Sequence, residues 1–387
     1  MKKHELAYII DCSSHGNFHE VINQGFLMMI SDLYEHVIYI ADKSSCENVK
    51  GNLLKCNICL DNVAFECKSI KEIKFKPNSV SAFLSAVKVG ILNNYFYRKT
   101  ERKADVFFCN FLHFTALFNI LFPIRKKNNA IYLCHAEMEF IESASKRGCF
   151  AHIFKWYLLL LFKVLKINNQ SKFILLSNDM AELFKSLISP KNRIRVYGME
   201  HCYIRPTTEF EINKIEFSGL KIGIPGAVTP ERGIENLKKL VSLVSNPNIR
   251  LFAISTLSES LHSNNLEELN KTGSRIPFEM YEGYVKQMDA FLMLYNLGSY
   301  RMTASGALLE AIWNEKPVFA IRNAYFEHMF KRFGALGVLA DTVEDLAKKI
   351  NSLTTESLNL YQNNIINAKE MLLPCNVKAH FEEIIES

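Results

Sequence analysis

Hydrophobic positions along this chain fall into short unbroken runs separated by longer stretches of mixed character. Strands buried on both faces, covered by helices, produce that pattern. In the first half, the run from Leu6 to Asp11 predicts a strand, and the loop that begins at Cys12 carries His15 and Gly16 into a helix. Runs at 36–40, 104–109 and 130–134 predict further strands, and Ser171 to Ser177 predicts another. In the second half, Leu220, Ile222 and Ile224 make a strand that ends at Gly226, with Thr229 and Pro230 placed as N-cap and first helical residue. The same grammar recurs later: a strand from Ala290 to Leu294, a polar loop from Asn296 to Met302, a helix from Thr303 to Trp313 and a strand from Pro317 to Ile321. Strands alternating with helices predict an α/β fold with a parallel, doubly wound sheet in each half. The polar stretch between Tyr197 and Gly219 contains Pro206, lacks periodicity and marks the boundary, which gives domains 1–205 and 206–360.

The second half carries the clearest candidate chemistry. A helix that opens at the carboxyl end of a parallel strand gathers unpaired amides and the positive end of the helix dipole, which suits an anion. Arg232 in the first turn, with Gly233 leaving room beside it, fits a diphosphate gripped by a guanidinium. Gly226 and Thr229 complete that site, and an ordinary strand-to-helix turn with a surface arginine is the other reading. Arg301, Thr303, Ser305 and Gly306 surround a second such helix start. Glu310, seven residues beyond Thr303 and about 10 Å along the helix, returns to the same face, where a carboxylate accepts both hydroxyls of a ribose. By itself it reads equally as a solvated helix residue.

Together these segments resemble the nucleotide-binding half of GT-B glycosyltransferases, in particular the large retaining family of bacterial surface-polysaccharide enzymes. Arg232-Gly233 matches that family's Lys-Gly with a basic exchange, and Glu310 matches its ribose-holding glutamate. Ala227 replaces the family's first arginine, and Met302 replaces the glutamate that contacts the donor sugar. The resemblance implies two facing Rossmann-like domains with an interdomain cleft. The first domain would face the acceptor and the second would bind a nucleotide sugar, with residues 361–387 packing back on the first and Pro374 bending or breaking that stretch. It also implies that a histidine after a later strand of the first domain approaches the sugar. His135 takes that role first, with Glu137, His15 and Gly16 on the same acceptor or sugar side. A loop histidine that satisfies backbone carbonyls is the alternative for each histidine.

Composition bears this out and adds partners. At 387 residues and 49% hydrophobic, the chain is long enough for two sizeable cores. No apolar run reaches the roughly 18 residues that span a bilayer, and the start turns polar too soon for a secretory signal, so a cytoplasmic protein is expected. Ten cysteines are scattered, and Cys109 and Cys134 lie within apolar runs, as reduced buried thiols would. Cys56 and Cys59 form a lone CxxC that reads as structural. The net charge of +6 conceals an asymmetry: residues 1–205 hold 28 Lys and Arg against 18 Asp and Glu, the remainder 18 against 22. No nucleic-acid signature accompanies the basic half. An anionic membrane, met peripherally, or a polyprenyl-linked acceptor suits it better. Between Cys149 and Ile167, His152, Lys155, Lys163 and Lys166 fall within an arc of about 80° on an apolar helix. That helix either lies in a membrane interface with Trp156 and Tyr157 at headgroup level or packs in the domain with its lysines in solvent. The segment from Phe83 to Lys103 is a second basic and aromatic stretch with the same two readings.

The expected activity is hexosyl transfer from a nucleoside-diphosphate sugar to a glycan or lipid-linked acceptor, in bacterial surface-polysaccharide synthesis. Arg232 and the two helix starts neutralise the departing diphosphate. No cofactor and no metal enter that scheme, and the sequence has no paired Asp-x-Asp to hold a divalent ion. The residues leave His135 two roles, an inverting base or a group that only orients the sugar, and likeness to the retaining branch favours the second. Two other readings share the layout: a nucleotide-sugar epimerase, and a catalytically silent binding subunit favoured by Ala227 and Met302.

Overall fold

The computed structural model describes residues 4–16, 19–71, 80–109, 114–122, 129–143, 149–206, 214–230, 232–270, 276–296 and 298–387. Part of the polar boundary stretch, 207–213, therefore lies outside the described residues. The chain divides into two compact units. The first comprises Met1–Thr207, Met302–Ala304 and Leu372–Ser387, and the second Thr208–Arg301 and Ser305–Met371.

The first unit is built on seven strands: β1 (His4–Asp11), β2 (Tyr34–Asp42), β3 (Val63–Lys68), β4 (Asp105–Phe108), β5 (Ala130–Cys134), β6 (Ser171–Leu175) and β7 (Val196–Gly198). Their order is β3-β2-β1-β4-β5-β6-β7, and every pairing is parallel. The second has β8 (Leu220–Ile224), β9 (Ile249–Ala253), β10 (Leu266–Glu268), β11 (Ala290–Met293), β12 (Val318–Ile321) and β13 (Gly337–Ala340). These run β10-β9-β8-β11-β12-β13, again all parallel. In both sheets the strand order reverses beside the first strand, between β1 and β4 and between β8 and β11. Open α/β sheets bind ligands at the carboxyl ends around such switch points.

Central strands carry the unbroken apolar runs because both their faces are covered: every residue of β4, β5 and β6 is buried. The edge strand β3 is half exposed and has no such run. Successive residues serve opposite faces. On one face Phe107 meets Phe381 of the helix Pro374–Glu386 at 5.8 Å, and Phe26 of the helix Glu20–Leu33 meets Phe381 at 6.2 Å. On the other, Phe108, Tyr132 and Phe173 stack in a column at 4.9 and 4.8 Å beneath the helices Val80–Lys99 and Thr115–Leu121. Pro374 occupies the first turn of the last helix, so it separates that helix from Gln362–Met371. The buried ammonium of Lys172 donates to the carbonyls of Ile384 and Ile385 at 2.8 and 2.6 Å and closes the chain's last helix.

Three local expectations need correction. The helix expected from Thr229 starts at Ile234, and the one expected from Thr303 starts at Gly306. The helix Cys149–Leu159 passes into a π-turn at Leu160–Val164 and the backbone is extended at Leu165. Lys166 is thus off the helix, and Tyr157 is buried while Trp156 is exposed. Cys109 and Cys134 are buried and free, and in the CxxC Cys56 accepts from Gln24 while the Cys59 thiol bonds Asp61.

Candidate functional site

The loop after β8 is held in shape by its own backbone and by two side chains, the Thr229 hydroxyl, which accepts from the Arg232 amide at 3.3 Å, and Asn296. The Thr229 carbonyl accepts from the amides of Arg232 and Ile234 at 3.0 and 3.1 Å, and Asn296 donates to the Pro230 carbonyl at 2.9 Å. Thr229 therefore closes a turn ahead of the helix and does not cap it. Gly233 takes the N-cap position with φ of 90° and no side-chain cap. A Cβ there would stand 1.8 Å from the Leu294 carbonyl oxygen, so contact with the end of β11, not room for a ligand, requires glycine. Arg232 is exposed, and its Nη1 lies 3.5 Å from where a Cβ on Gly226 would be. The guanidinium thus sits over the bare backbone at the end of β8, open to a ligand from solvent.

The loop after β11 comes to the same place. Tyr295 is buried and stacks on Tyr300 at 4.3 Å, burial pushes its phenol up, and Ser305 and the Arg232 charge work in the opposite direction. Arg232, Tyr295 and Ser305 are therefore neighbours. Ser305 is the N-cap of the helix Gly306–Trp313, its hydroxyl accepting from the Leu308 amide at 3.3 Å. Thr303 stands outside that helix. Its hydroxyl donates to Glu139, Met302 is buried, and Ala304 packs against the first unit's core. Arg301 is exposed at the end of the loop. Glu310 is buried at 6% exposure, which rules out the solvated reading, and its Oε2 accepts from the Tyr281 hydroxyl at 2.5 Å. Tyr281 lies on the helix Phe278–Gln287, and no local pattern pointed to it.

In the first unit, buried side chains organise the carboxyl edge. Asp11, at the end of β1, is fully buried; its Oδ1 accepts from the Ser13 amide, the Ser13 hydroxyl and the Ser14 amide at 3.0, 2.8 and 3.1 Å, and its Oδ2 from Asn23 at 2.7 Å. His15 turns Nδ1 to Asp42 at 3.5 Å, and the Gly16 amide donates to Ser44 at 2.9 Å. Burial works against the charge of Asp42, yet the Ser44 hydroxyl and amide hold its carboxyl below the usual range. After β5, Glu137 turns back on its own loop and accepts from the amides of His135 and Ala136 at 3.2 and 3.0 Å. His135 is buried, stacks on His19 at 5.2 Å, and has no hydrogen-bond partner at Nε2 among the described residues. Burial holds its imidazole well below the ordinary value, and the nearby His19 and His201 add to that. Burial likewise takes His201 down to about 4, although its Nδ1 lies 2.6 Å from the Cys202 carbonyl. The result is a cluster of three histidines in which His135 is neutral, able to donate or accept one hydrogen bond. His19 and His201 were not expected; each is a loop histidine whose role depends on where its strand ends.

A cavity of about 650 Å³ opens elsewhere, at the amino edge of the second sheet, lined by Lys221, Asp289, Lys316 and Glu356 among others. Charges of both signs line it, and it lies at the opposite strand ends from Gly226 and Ser305. The carboxyl edges hold the candidate chemistry. Among the described residues, no group of three or more His, Cys, Asp or Glu side chains is placed to hold a metal ion.

No protein-family model matches the chain. None of the curated proteins matches it either. Solved structures do. Over 99% of this chain and 100% of that one, it is similar to HepE from Anabaena in complex with UDP-glucose, with a TM-score of 0.61 and 12% identity. Sucrose-phosphate synthase from Thermosynechococcus elongatus matches at a TM-score of 0.61 and 11% identity, over 99% of this chain and 98% of that one. An α,α-trehalose-phosphate synthase (UDP-forming) from Burkholderia vietnamiensis matches at 0.63 and 7%, over 100% and 99%. Identities this low speak to architecture, and with two parallel doubly wound sheets in the order described, the chain has the GT-B fold of glycosyltransferases.

Proposed function

We propose that this protein moves a hexosyl group from a nucleoside-diphosphate sugar to a hydroxyl of a glycan or lipid-linked acceptor, as a bacterial surface-polysaccharide pathway requires. The observation that carries the reading is the grouping of Arg232, Gly226, Tyr295 and the Ser305 helix start at one strand edge. As the bond from the sugar to the diphosphate breaks, negative charge develops on the leaving oxygen. A guanidinium and a helix dipole already fixed there stabilise that charge without reorganisation. Glu310, oriented by Tyr281, accepts from ribose hydroxyls. On the first unit, the neutral His135 offers Nε2 to a sugar hydroxyl, a role that suits a retaining transfer. The protein's own groups neutralise the leaving group in this scheme, with no divalent ion or cofactor.

The test is calorimetric binding of UDP-, GDP- and CMP-linked sugars, with UDP-glucose first because HepE is solved with it. Arg232→Ala should weaken the preferred donor by about tenfold to a hundredfold, the loss of a charge-assisted phosphate contact, with little change in melting temperature. A panel in which nothing binds would remove the transferase reading. One feature favours a silent binding subunit instead: Met302, in the place of a sugar-contacting glutamate, is buried and apolar. Glu310→Ala separates the two, since an enzyme loses turnover with it and a silent subunit keeps its partner.

A further inference from the structure

Among the described residues, ten of the sixteen large hydrophobic side chains that are exposed lie between Val80 and Val164, on three neighbouring helices of the first unit and the turns that end them. On the helix Val80–Lys99, Val80, Leu84, Ile91 and Tyr95 are 48–61% exposed. With Lys88, Arg98 and Lys99 they fall on one side of the cylinder, at the three- and four-residue spacing of a single helix face. That face is outward, because Ala82, Ala86, Val89 and Tyr97 occupy the buried side. On the helix that begins at Cys149, Trp156 is 72% exposed, and Leu160 and Val164 follow at 40% and 64% with Lys163 exposed between them. Phe114, at the start of the helix Thr115–Leu121, ties the three together, meeting Phe83 at 5.7 Å and Tyr157 at 4.8 Å. Arg98 reaches the Phe122 carbonyl at 3.0 Å and joins the far ends of two of them.

Single exposed apolar side chains are ordinary, but a concentration of this size on adjoining helices marks a contact surface. Its charge identifies the occupant. Residues 80–100 and 149–171 contain no Asp or Glu, while Lys88, Arg98, Lys99, Lys163 and Lys166 are all exposed. A second copy docked on the same patch would set lysine against lysine. We propose that this face seats the protein on an anionic lipid bilayer, with Trp156, Leu160 and Val164 entering the interface and the lysines meeting headgroup phosphates. Trp156 and Tyr95 have the amphipathic rings that favour headgroup depth. Lys99 lies 4.2 Å from the Tyr95 ring, so the basic and aromatic groups already stand together. The inference rests on the transferase reading for its purpose, delivery of the protein to a lipid-linked acceptor, and on this face alone for its evidence.

The full chain has two tryptophans, so Trp313→Phe leaves Trp156 as the sole fluorescent reporter. With mixed phosphatidylcholine and phosphatidylglycerol vesicles, Trp156 emission should shift to the blue, be quenched by brominated acyl chains, and recover as salt is raised. Pure phosphatidylcholine should give a much smaller shift. The triple variant Trp156→Ser, Leu160→Ser, Val164→Ser changes exposed positions only. It should lose about tenfold or more in vesicle affinity, read by co-sedimentation, at an unchanged circular-dichroism spectrum. Unshifted Trp156 emission with the protein left in the supernatant overturns the proposal. So does a concentration-dependent dimer that the triple variant abolishes, or capture of an acidic protein with no lipid binding. Donor binding measured on the same samples separates the two readings: lost vesicle affinity with donor binding retained concerns this face, and the reverse concerns the transferase site.

Discussion

The carboxyl edges of the two sheets use opposite means to the same end. In the first unit, loops are held by buried ionisable side chains: Asp11 accepting from Ser13, Ser14 and Asn23, Glu137 folded onto its own loop's amides, and a stack of histidines. In the second, the loop after β8 is held by its own backbone with help from the Thr229 hydroxyl and the Asn296 amide, and one exposed arginine stands above a bare glycine. Buried side-chain networks fix one geometry, which under the proposed function suits an uncharged, hydroxyl-rich ligand. Bare backbone beneath an exposed cation suits a polyanion, which needs charge and close approach more than shape.

The sharpest way to break the contrast is Gly233→Ala. The methyl group would meet the Leu294 carbonyl at a distance no packing tolerates, at a backbone angle that favours glycine. The second unit should lose about 3 kcal/mol or more in urea denaturation, with the first unit's transition unmoved. Asp11→Ala is the matching test in the first unit. Two amides, a hydroxyl and an Asn amide lose their acceptor in a buried place, at a cost of about 3 kcal/mol by the same measurement. If it proves neutral, the first edge is not side-chain supported.

Acid should affect the units differently. His135 and His201 stay neutral when folded and take up a proton when unfolded, so stability is full above the ordinary value of 6.5 and falls as pH drops below it, the His201 contribution levelling off at about 4. Between 6.5 and about 4 His201 contributes a slope of about 1.4 kcal/mol per pH unit, and His135 acts in the same direction. His201→Asn should flatten the first unit's profile, and an unchanged slope in chemical denaturation at stepped pH would show the histidines are already solvated. The smallest effect is expected from Tyr281→Phe. Losing one hydrogen bond to Glu310 should cost about 1 kcal/mol and weaken donor binding a few-fold in calorimetry. Equal affinities in variant and wild type would mean Glu310 needs no orientation.

Much of this was legible beforehand, and the failures have physical causes. The neighbourhood of Gly226 and Arg232 followed from a strand, a glycine and a short turn, which are local. Both helix starts fall later than the pattern predicts: Thr229 is not the cap of the first, and Thr303 lies outside the second. Ser305, a good cap followed by an apolar helix, carried the correct signal for the second. For the first, the start is set by the left-handed Gly233, which the carbonyl at the end of β11 enforces. Glu310 was chosen by position, but Tyr281, the side chain that orients it, lies on another helix.

Two parallel doubly wound sheets and the basic character of the first half were determined by sequence alone, because apolar periodicity and net charge survive without knowledge of neighbours. Tertiary structure decided which histidines surround His135, what holds Glu310, that Thr303 serves Glu139, and that the apolar positions of three helices come together in solvent rather than in the core. A side chain's environment is set by which distant strand ends and helix faces meet it, and those meetings are fixed by the packing of the whole unit.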